Sequence, residues 1–450
     1  MTRNRNQPGL SRRAWMRLAA SGLAASSSSG WMPQLAAATA NNPRRQRSCI
    51  LLWMTGGPSQ IDTFDVKPDH PNGGEFKAIE TSVPGMRVSE HLPNLARMME
   101  HVVPIRSMQT KEGDHSRGTY YLRTGYAPQG PVHYPTLGSL VSNELGRDDS
   151  ELPSFVSIGP YRNFSPAAYG PGFLGPKRSP LVVGDSNRYF TNTDGDNGQA
   201  LRVRNLEAQG VEPRQADMRL KLLTGRDDRF AAEHSGLTVG SHHTAYDQAV
   251  RMMRSEAVQA FELDQEDSTL RDTYGRNQFG QGCLLARRLV ERGVPFVEVS
   301  LSGVQANQSF AWDSHQRNFE AVRGLCEVLD PAWATLLEDL KQRQLLESTL
   351  VVWMGEFGRT PRINRSAGRD HYPNAWTTVL CGGGVKGGEY VGETSPDGMQ
   401  VKQRPVSAPD LLATICRAIG IDPMKQNMSN VGRPIRIADP EATAIEEILV

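Results

Sequence analysis

Strands alternating with amphipathic helices predict an α/β chain: a mostly parallel central sheet with helices on both faces, an α/β/α sandwich. Two kinds of segment carry that prediction. Short continuous apolar runs, such as Cys49 to Met54 and residues 349–354, read as strands buried on both faces. Between them lie stretches with apolar residues at helical spacing, as in 278–292, where Cys283, Leu284, Leu285, Leu289 and Val290 share a face. Composition agrees. The 450 residues are 38% hydrophobic with a mean hydropathy of −0.47, which excludes a multi-span membrane protein. Lys+Arg (50) and Asp+Glu (49) nearly cancel, so nothing marks a nucleic-acid or polybasic membrane binder. Five cysteines are too few for a disulfide framework.

Taken in order, residues 1–40 read as an address rather than structure. Arg12-Arg13 precede Trp15 and Met16, a weakly apolar stretch follows, and Ala38-Thr39-Ala40 supplies a small-x-small cleavage pattern. These features resemble a bacterial twin-arginine export signal, with the export machinery as a partner. Ser26 to Ser29 make the stretch too polar to anchor in hydrocarbon. The mature chain, 41–450, is therefore expected in the periplasm or secreted, with no stable membrane span.

In that mature chain, 48–54 is the first strand, stopped by Thr55-Gly56-Gly57-Pro58. A helical pattern over 89–99 precedes a strand at 102–108, and 113–122 and 135–145 read as short helices. Residues 150–245 are rich in Gly, Pro, Asn and Asp with weak periodicity, and read as a loop-rich insertion or lid. Helices return over 244–261 and 278–292, the latter closed by Gly293. A strand at 294–301, a helix over 315–346 broken or kinked at Pro331, and strands at 349–354 and 376–380 follow. The glycine-rich run 382–388 follows a strand without opening a helix and reads as a turn or hairpin. Ser407 opens a last helix ending near Ala418. Cys283, Cys326 and Cys416 fall on apolar helix faces as packed thiols.

In open α/β sheets ligands bind beyond the carboxyl ends of the strands. His115, His315 and His371, three of ten histidines, each follow an aspartate by one or two residues and sit just past a predicted strand end. Imidazole with carboxylate is the ligand set of zinc, manganese or iron, whereas carboxylate and water alone favour magnesium or calcium. A divalent metal is thus expected, its candidate ligands His115, Asp313, His315, Glu356, Asp370 and His371. Asp313 and His315, two residues apart, point the same way in an extended segment. Glu356 follows a buried strand, where a carboxylate is costly unless paired; Arg359 is its partner if no metal binds. His70, in Asp69-His70-Pro71, reads as a surface hydrogen bond. Ser116 sits where a helix begins, either as a plain N-cap or as a hydroxyl nucleophile at an anion-binding helix end. Thr119 is the alternative one turn on, and Arg359 a bidentate anion binder. No phosphate loop, no H-E-x-x-H helix and no C/S-x-P-x-R formylglycine motif occurs.

Residues 52–65, 285–297, Trp312-Asp313-Ser314-His315 and 355–361 resemble the DUF1501 family, and Gly368-Arg369-Asp370-His371 and the leader agree with it. The resemblance covers essentially 48–420. It implies a branch of the alkaline phosphatase and sulfatase superfamily, an alkaline phosphatase-like fold with a metal cluster at the strand ends. On that pattern Asp62 or Asp65 is the acidic ligand after the first strand, Ser116 or Thr119 the nucleophile, and His371 the final histidine. Glu356-Phe357 replaces an Asp-His pair, which removes one histidine ligand. The expectation is an exported metal-dependent hydrolase of phosphate or sulfate esters, small or on polysaccharide. The alternative is a non-catalytic binding or assembly protein that keeps a degenerate site.

Overall fold

The computed structural model describes residues 47–128, 130–184, 201, 203, 212–234, 237–303 and 312–450. The export-signal reading of 1–40 lies outside them. Seven strands form the central sheet: β1 (Ser48–Met54), β2 (Val102–Met108), β3 (Phe155–Ile158), β4 (Leu181–Val183), β5 (Phe296–Leu301), β6 (Thr349–Met354) and β7 (Trp376–Gly382). Their spatial order is β2-β7-β6-β1-β5-β3-β4. β1 lies parallel between β5 and β6, and every residue of it is buried, as its unbroken apolar sequence requires. β7 runs antiparallel to both of its neighbours, and the other pairings are parallel.

Eight α-helices flank the sheet or stand near it: α1 (His115–Thr124), α2 (Leu137–Leu145), α3 (Pro213–Glu233), α4 (Leu237–Arg254), α5 (Ser268–Tyr274), α6 (Gln278–Glu291), α7 (Asn318–Gln342) and α8 (Ala408–Ala418). The period-2 alternation of β1 divides the core. Ile50, Leu52 and Met54 pack with Leu284 and Leu285 of α6 and Leu325 and Leu336 of α7. Cys49, Leu51 and Trp53 pack on the other face with Leu122 of α1, Leu140 of α2 and Leu411 and Ile415 of α8. Two apolar clusters on opposite faces of one sheet make the α/β/α sandwich. All five cysteines are buried free thiols. Among the described residues no helix is long and apolar enough to cross a membrane.

The structure differs from expectation in three places. The helical pattern over 89–99 becomes a short strand, Arg87–Ser89, and a 3-10 segment, Leu95–His101; Pro93 stands between them where an α-helix would need a donor. Pro331 neither breaks nor ends α7, which runs through it for 25 residues. The 150–245 stretch is no simple insertion, because it supplies β3 and β4 of the central sheet as well as α3 and the first half of α4. Strands of three and four residues are too short to show a period of their own.

The antiparallel β7 decides where the chemistry sits. β6 ends at the carboxyl rim, and β7 starts at the same rim, Trp376 opposite Met108 of β2. The connecting segment 355–375 therefore stays at that rim, folded on itself by pairing of Gly358–Arg359 with His371–Tyr372. The turn after β1 meets it there. Gly56 has φ +107°, and a Cβ on it would stand 2.6 Å from the Asp313 backbone nitrogen; Gly57, at φ +80°, approaches the Phe357 carbonyl as closely. Only glycine permits both the backbone angle and the contact.

Candidate metal centre

Four rim segments converge: the start of α1, the loop after β5, the turn after β6 and the His371 strand. Asp114 caps α1, its carboxylate accepting the Arg117 amide at 3.1 Å, so the helix begins at His115 and not at Ser116. Two turns on, Arg123 donates to the Ala168 carbonyl at 2.7 Å and ion-pairs with the fully buried Glu298 of β5. That pair holds the helix against the sheet, with His115 at its end.

Three imidazoles present their Nε2 atoms to one carboxylate. Asp313 Oδ2 lies 3.3 Å from His115 Nε2. Asp313 Oδ1 lies 3.1 Å from His315 Nε2 and 3.2 Å from His371 Nε2, and those two nitrogens are 3.1 Å apart. Ligand atoms of His115, Asp313 and His371 fall within 4.8 Å of one another, with His315 Nε2 at the edge of that group.

What stands behind each ring fixes its tautomer. His371 Nδ1 faces the Gly113 carbonyl at 2.7 Å; a carbonyl only accepts, so Nδ1 carries the hydrogen. His115 Nδ1 meets Glu356 Oε1 at 2.7 Å, and His315 Nδ1 meets Asp370 Oδ1 at 2.8 Å. With each Nδ1 so engaged, it is Nε2 that each ring turns toward Asp313; those of His115 and His371 converge with its carboxylate within 4.8 Å, and that of His315 lies beside them. This is the carboxylate–histidine arrangement that orients imidazoles toward metal ions.

Asp313, Glu356 and Asp370 oppose only the Arg359 guanidinium within the cluster, leaving two negative charges when the imidazoles are neutral. Burial disfavours charge on His115, but hydrogen bonds to Asp313 and Glu356 outweigh it and push that imidazole up to about 9. Burial opposes ionisation of Asp313, yet His115, His371 and Arg359 hold its carboxyl well below the usual range.

The structure brings together His115, Asp313, His315, Glu356, Asp370, His371 and Arg359, and leaves the other expected residues elsewhere. Asp62 is wholly buried and accepts from Arg369 at 2.7 and 3.0 Å, Ser59 at 2.6 Å and Asn318 at 2.7 Å. Asp65 pairs with Lys67 at 2.9 Å and accepts from Thr394 at 2.5 Å. Both carboxylates are saturated by donors of their own and make no contact with the cluster, which corrects their expected ligand role. Glu356 and Asp370 reach the cluster through imidazole Nδ1 atoms, behind the rings. Arg359 pairs with Asp313 at 2.5 Å rather than with Glu356, and also donates to the carbonyls of Gly56, Gly57 and Arg369. Fully buried and fully engaged, it has no fork free for an anion. Ser116 is exposed, and Thr119 is 1% exposed with no hydrogen-bond partner for its hydroxyl.

Sequence reasoning missed Phe164, whose ring stacks on His115 at 4.2 Å with 6° between planes, and the Gly113 carbonyl. Phe164 lies in the stretch read as an insertion, and a backbone oxygen leaves no residue-type signal.

The structure is similar to a protein in the alkaline phosphatase superfamily from Vibrio parahaemolyticus, at 11% identity and TM-score 0.39 over 84% of this chain and 67% of that one. It is also similar to the lipoteichoic acid synthase LtaP from Listeria monocytogenes (10%, 0.39, 89% and 77%). A putative sulfatase from Bacteroides thetaiotaomicron is a further match (11%, 0.38, 84% and 71%). No curated protein matches in sequence. The family model described as "Protein of unknown function (DUF1501)" matches residues 46–449, and the chain belongs to that family.

Proposed function

We propose that the protein is an exported, divalent-metal-dependent hydrolase of phosphate or sulfate esters, on small molecules or polysaccharide. One observation carries the metal: the Nε2 atoms of His115 and His371 converge with the Asp313 carboxylate within 4.8 Å, His315 Nε2 lies beside them, and each Nδ1 is already committed behind its ring. These residues fit a divalent ion in donor type and in charge. His115, Asp313, His315 and His371 would hold it, and an ion there supplies Lewis-acid polarisation of a phosphoryl or sulfuryl oxygen.

The chain's own residues do the rest. Arg359 fixes Asp313 and the Gly56-Gly57 turn, so it positions rather than binds substrate. Phe164 and Phe357 lie against the His115 ring and keep water from it. The His315 side chain, 42% exposed, is the most open of the three imidazoles and marks the side from which an ester approaches. The leader at 1–40 supports export.

Protein purified after native export should contain divalent metal and hydrolyse members of an aryl phosphate and aryl sulfate panel, and chelation should abolish turnover. Absence of both metal and turnover would favour the binding or assembly reading instead.

A further inference from the structure

We propose that the cluster is a single-ion site of imidazole nitrogens and one carboxylate, built on His115, Asp313 and His371 with His315 beside them, selective for a nitrogen-preferring ion such as zinc over magnesium or calcium, with Glu356 and Asp370 as positioning residues and not ligands. The inference rests on the metal part of the reading above and is independent of the reaction.

The ion count follows from what is left to bind with. Two ions about 3.5–4 Å apart would need more ligands than one carboxylate and its neighbouring imidazoles supply. Asp62 is saturated by Arg369, Ser59 and Asn318, and Asp65 by Lys67 and Thr394. Among the described residues, no grouping of three or more such ligands other than His115, Asp313 and His371 comes within 4.8 Å. Asp313 alone offers the cluster both carboxylate oxygens, one to His115 and one to the other two imidazoles.

The kind of ion follows from spacing and donor type. Contacts of 3.1 to 3.3 Å link Asp313 to all three imidazoles and His315 to His371. The ligand atoms of His115, Asp313 and His371, all within 4.8 Å of one another, are two imidazole nitrogens and a carboxylate oxygen, a donor set that zinc takes with bonds of about 2.0 Å. Calcium needs six to eight oxygens at longer range, and magnesium keeps waters and carboxylates, so neither suits a nitrogen-rich set.

The role of the two remaining carboxylates follows from the atoms they touch. Glu356 is wholly buried, and its Oε1 takes both the Gly56 amide at 2.9 Å and His115 Nδ1 at 2.7 Å. That double grip orients the His115 ring from a point fixed to the β1 turn. Asp370 does the same for His315, and Asn364 holds Asp370 in turn at 3.3 Å. Partners of this kind change metal affinity without touching the metal.

The test is equilibrium binding on the chelated full chain. Zn2+, Mg2+ and Ca2+ are titrated against a chromophoric chelator, and Co2+ is followed by its visible spectrum. One zinc per chain is expected, with affinity orders of magnitude above magnesium and calcium, and an intense four-coordinate cobalt band. Glu356→Gln and Asp370→Asn should each weaken zinc about 10- to 100-fold while stoichiometry stays at one. Asp370, more than half exposed, allows a substitution that folds even if Glu356→Gln does not. Two ions per chain, magnesium or calcium matching zinc, or unchanged affinity in Asp370→Asn would overturn the proposal. One tightly bound zinc without turnover supports it while sinking the hydrolase; two ions with turnover does the reverse.

Discussion

Among the described residues, two clusters of charged side chains, one largely buried against α6 and one at the open rim, are built on opposite plans. On the outer side of α6, Arg287 reaches Asp339, Glu266 and Glu291, each at 2.8 Å. Arg288 joins Glu266, Arg343 joins Asp339 at 2.6 Å, and the Tyr274 hydroxyl donates to Asp339 at 3.0 Å. Three guanidinium groups face three carboxylates, charge for charge, although Arg287 Nε and Nη2 make ion pairs without hydrogen bonds. At the rim, three carboxylates and three imidazoles face one guanidinium. The first cluster is complete in itself and holds α5, α6 and α7 together. The second carries an excess of carboxylates, and the buried Glu356 Oε2 has no hydrogen-bond partner. Balance of opposite charge separates the structural network from the candidate site.

The largest test of that contrast is to break the matched cluster. Arg287→Ala strands acidic groups at a site where the arginine is 1% exposed, and unfolding free energy should fall by about 3–5 kcal/mol. Metal content of the folded fraction should not change. His371→Ala should do the opposite: bound metal is lost, while the denaturation midpoint of the chelated protein moves little, because the ring is a quarter exposed. Urea titrations with parallel metal analysis read both. Loss of metal in Arg287→Ala, or a large stability loss in chelated His371→Ala, would erase the distinction.

A smaller effect separates the clusters by pH. Burial opposes ionisation of Glu266, but Arg287 and Arg288 lower its folded pKa below the ordinary 4.5. Its contribution is therefore fully present above about 4.5 and lost as pH falls through the folded value. His115 has the reverse sign. Raised from 6.5 to about 9, it contributes fully below about 6.5 in the chelated protein, and that contribution fades as pH rises through 9. Glu266→Gln should flatten the acid limb of the stability profile and His115→Gln the alkaline limb. Limbs that respond to the wrong substitution would break the assignment.

The matched network and the rim cluster were not equally legible in the sequence. β1, β2 and β6 stand out as apolar runs because both their faces are buried, and their bounds agree with the reading at every residue. Ser407 as the cap of α8 is legible because a capping box is a local signal. Asp313, His315 and His371 could be picked out because imidazole beside carboxylate is uncommon past a strand end. Asp62 and Asp65 show the limit. Their positions after β1 are right for ligands, and only Arg369, Lys67 and Thr394, hundreds of residues away in two cases, decide that they are not free. A guanidinium that claims a carboxylate across 307 positions leaves no trace in local spacing. The same holds for β3 and β4, whose few residues find their place only by pairing with β5.

The smallest effect concerns the hydroxyls. Thr119 lies one turn beyond His115 on the same helix, and its Oγ1 is buried with no partner. A buried hydroxyl without a hydrogen bond is a net cost, so the near-isosteric Thr119→Val should leave stability within about 1 kcal/mol of wild type or raise it. Ser116 is exposed, and Ser116→Ala should leave stability unchanged because Asp114, not Ser116, caps the helix. Turnover then discriminates sharply. A nucleophilic hydroxyl at either position predicts loss of activity with metal content retained, whereas activity surviving both substitutions leaves the imidazole cluster as the chemical centre. Thr119 Oγ1 shares its lack of a partner with Glu356 Oε2, so of the two hydroxyls it is the one whose loss the fold should tolerate best while turnover reads its chemistry.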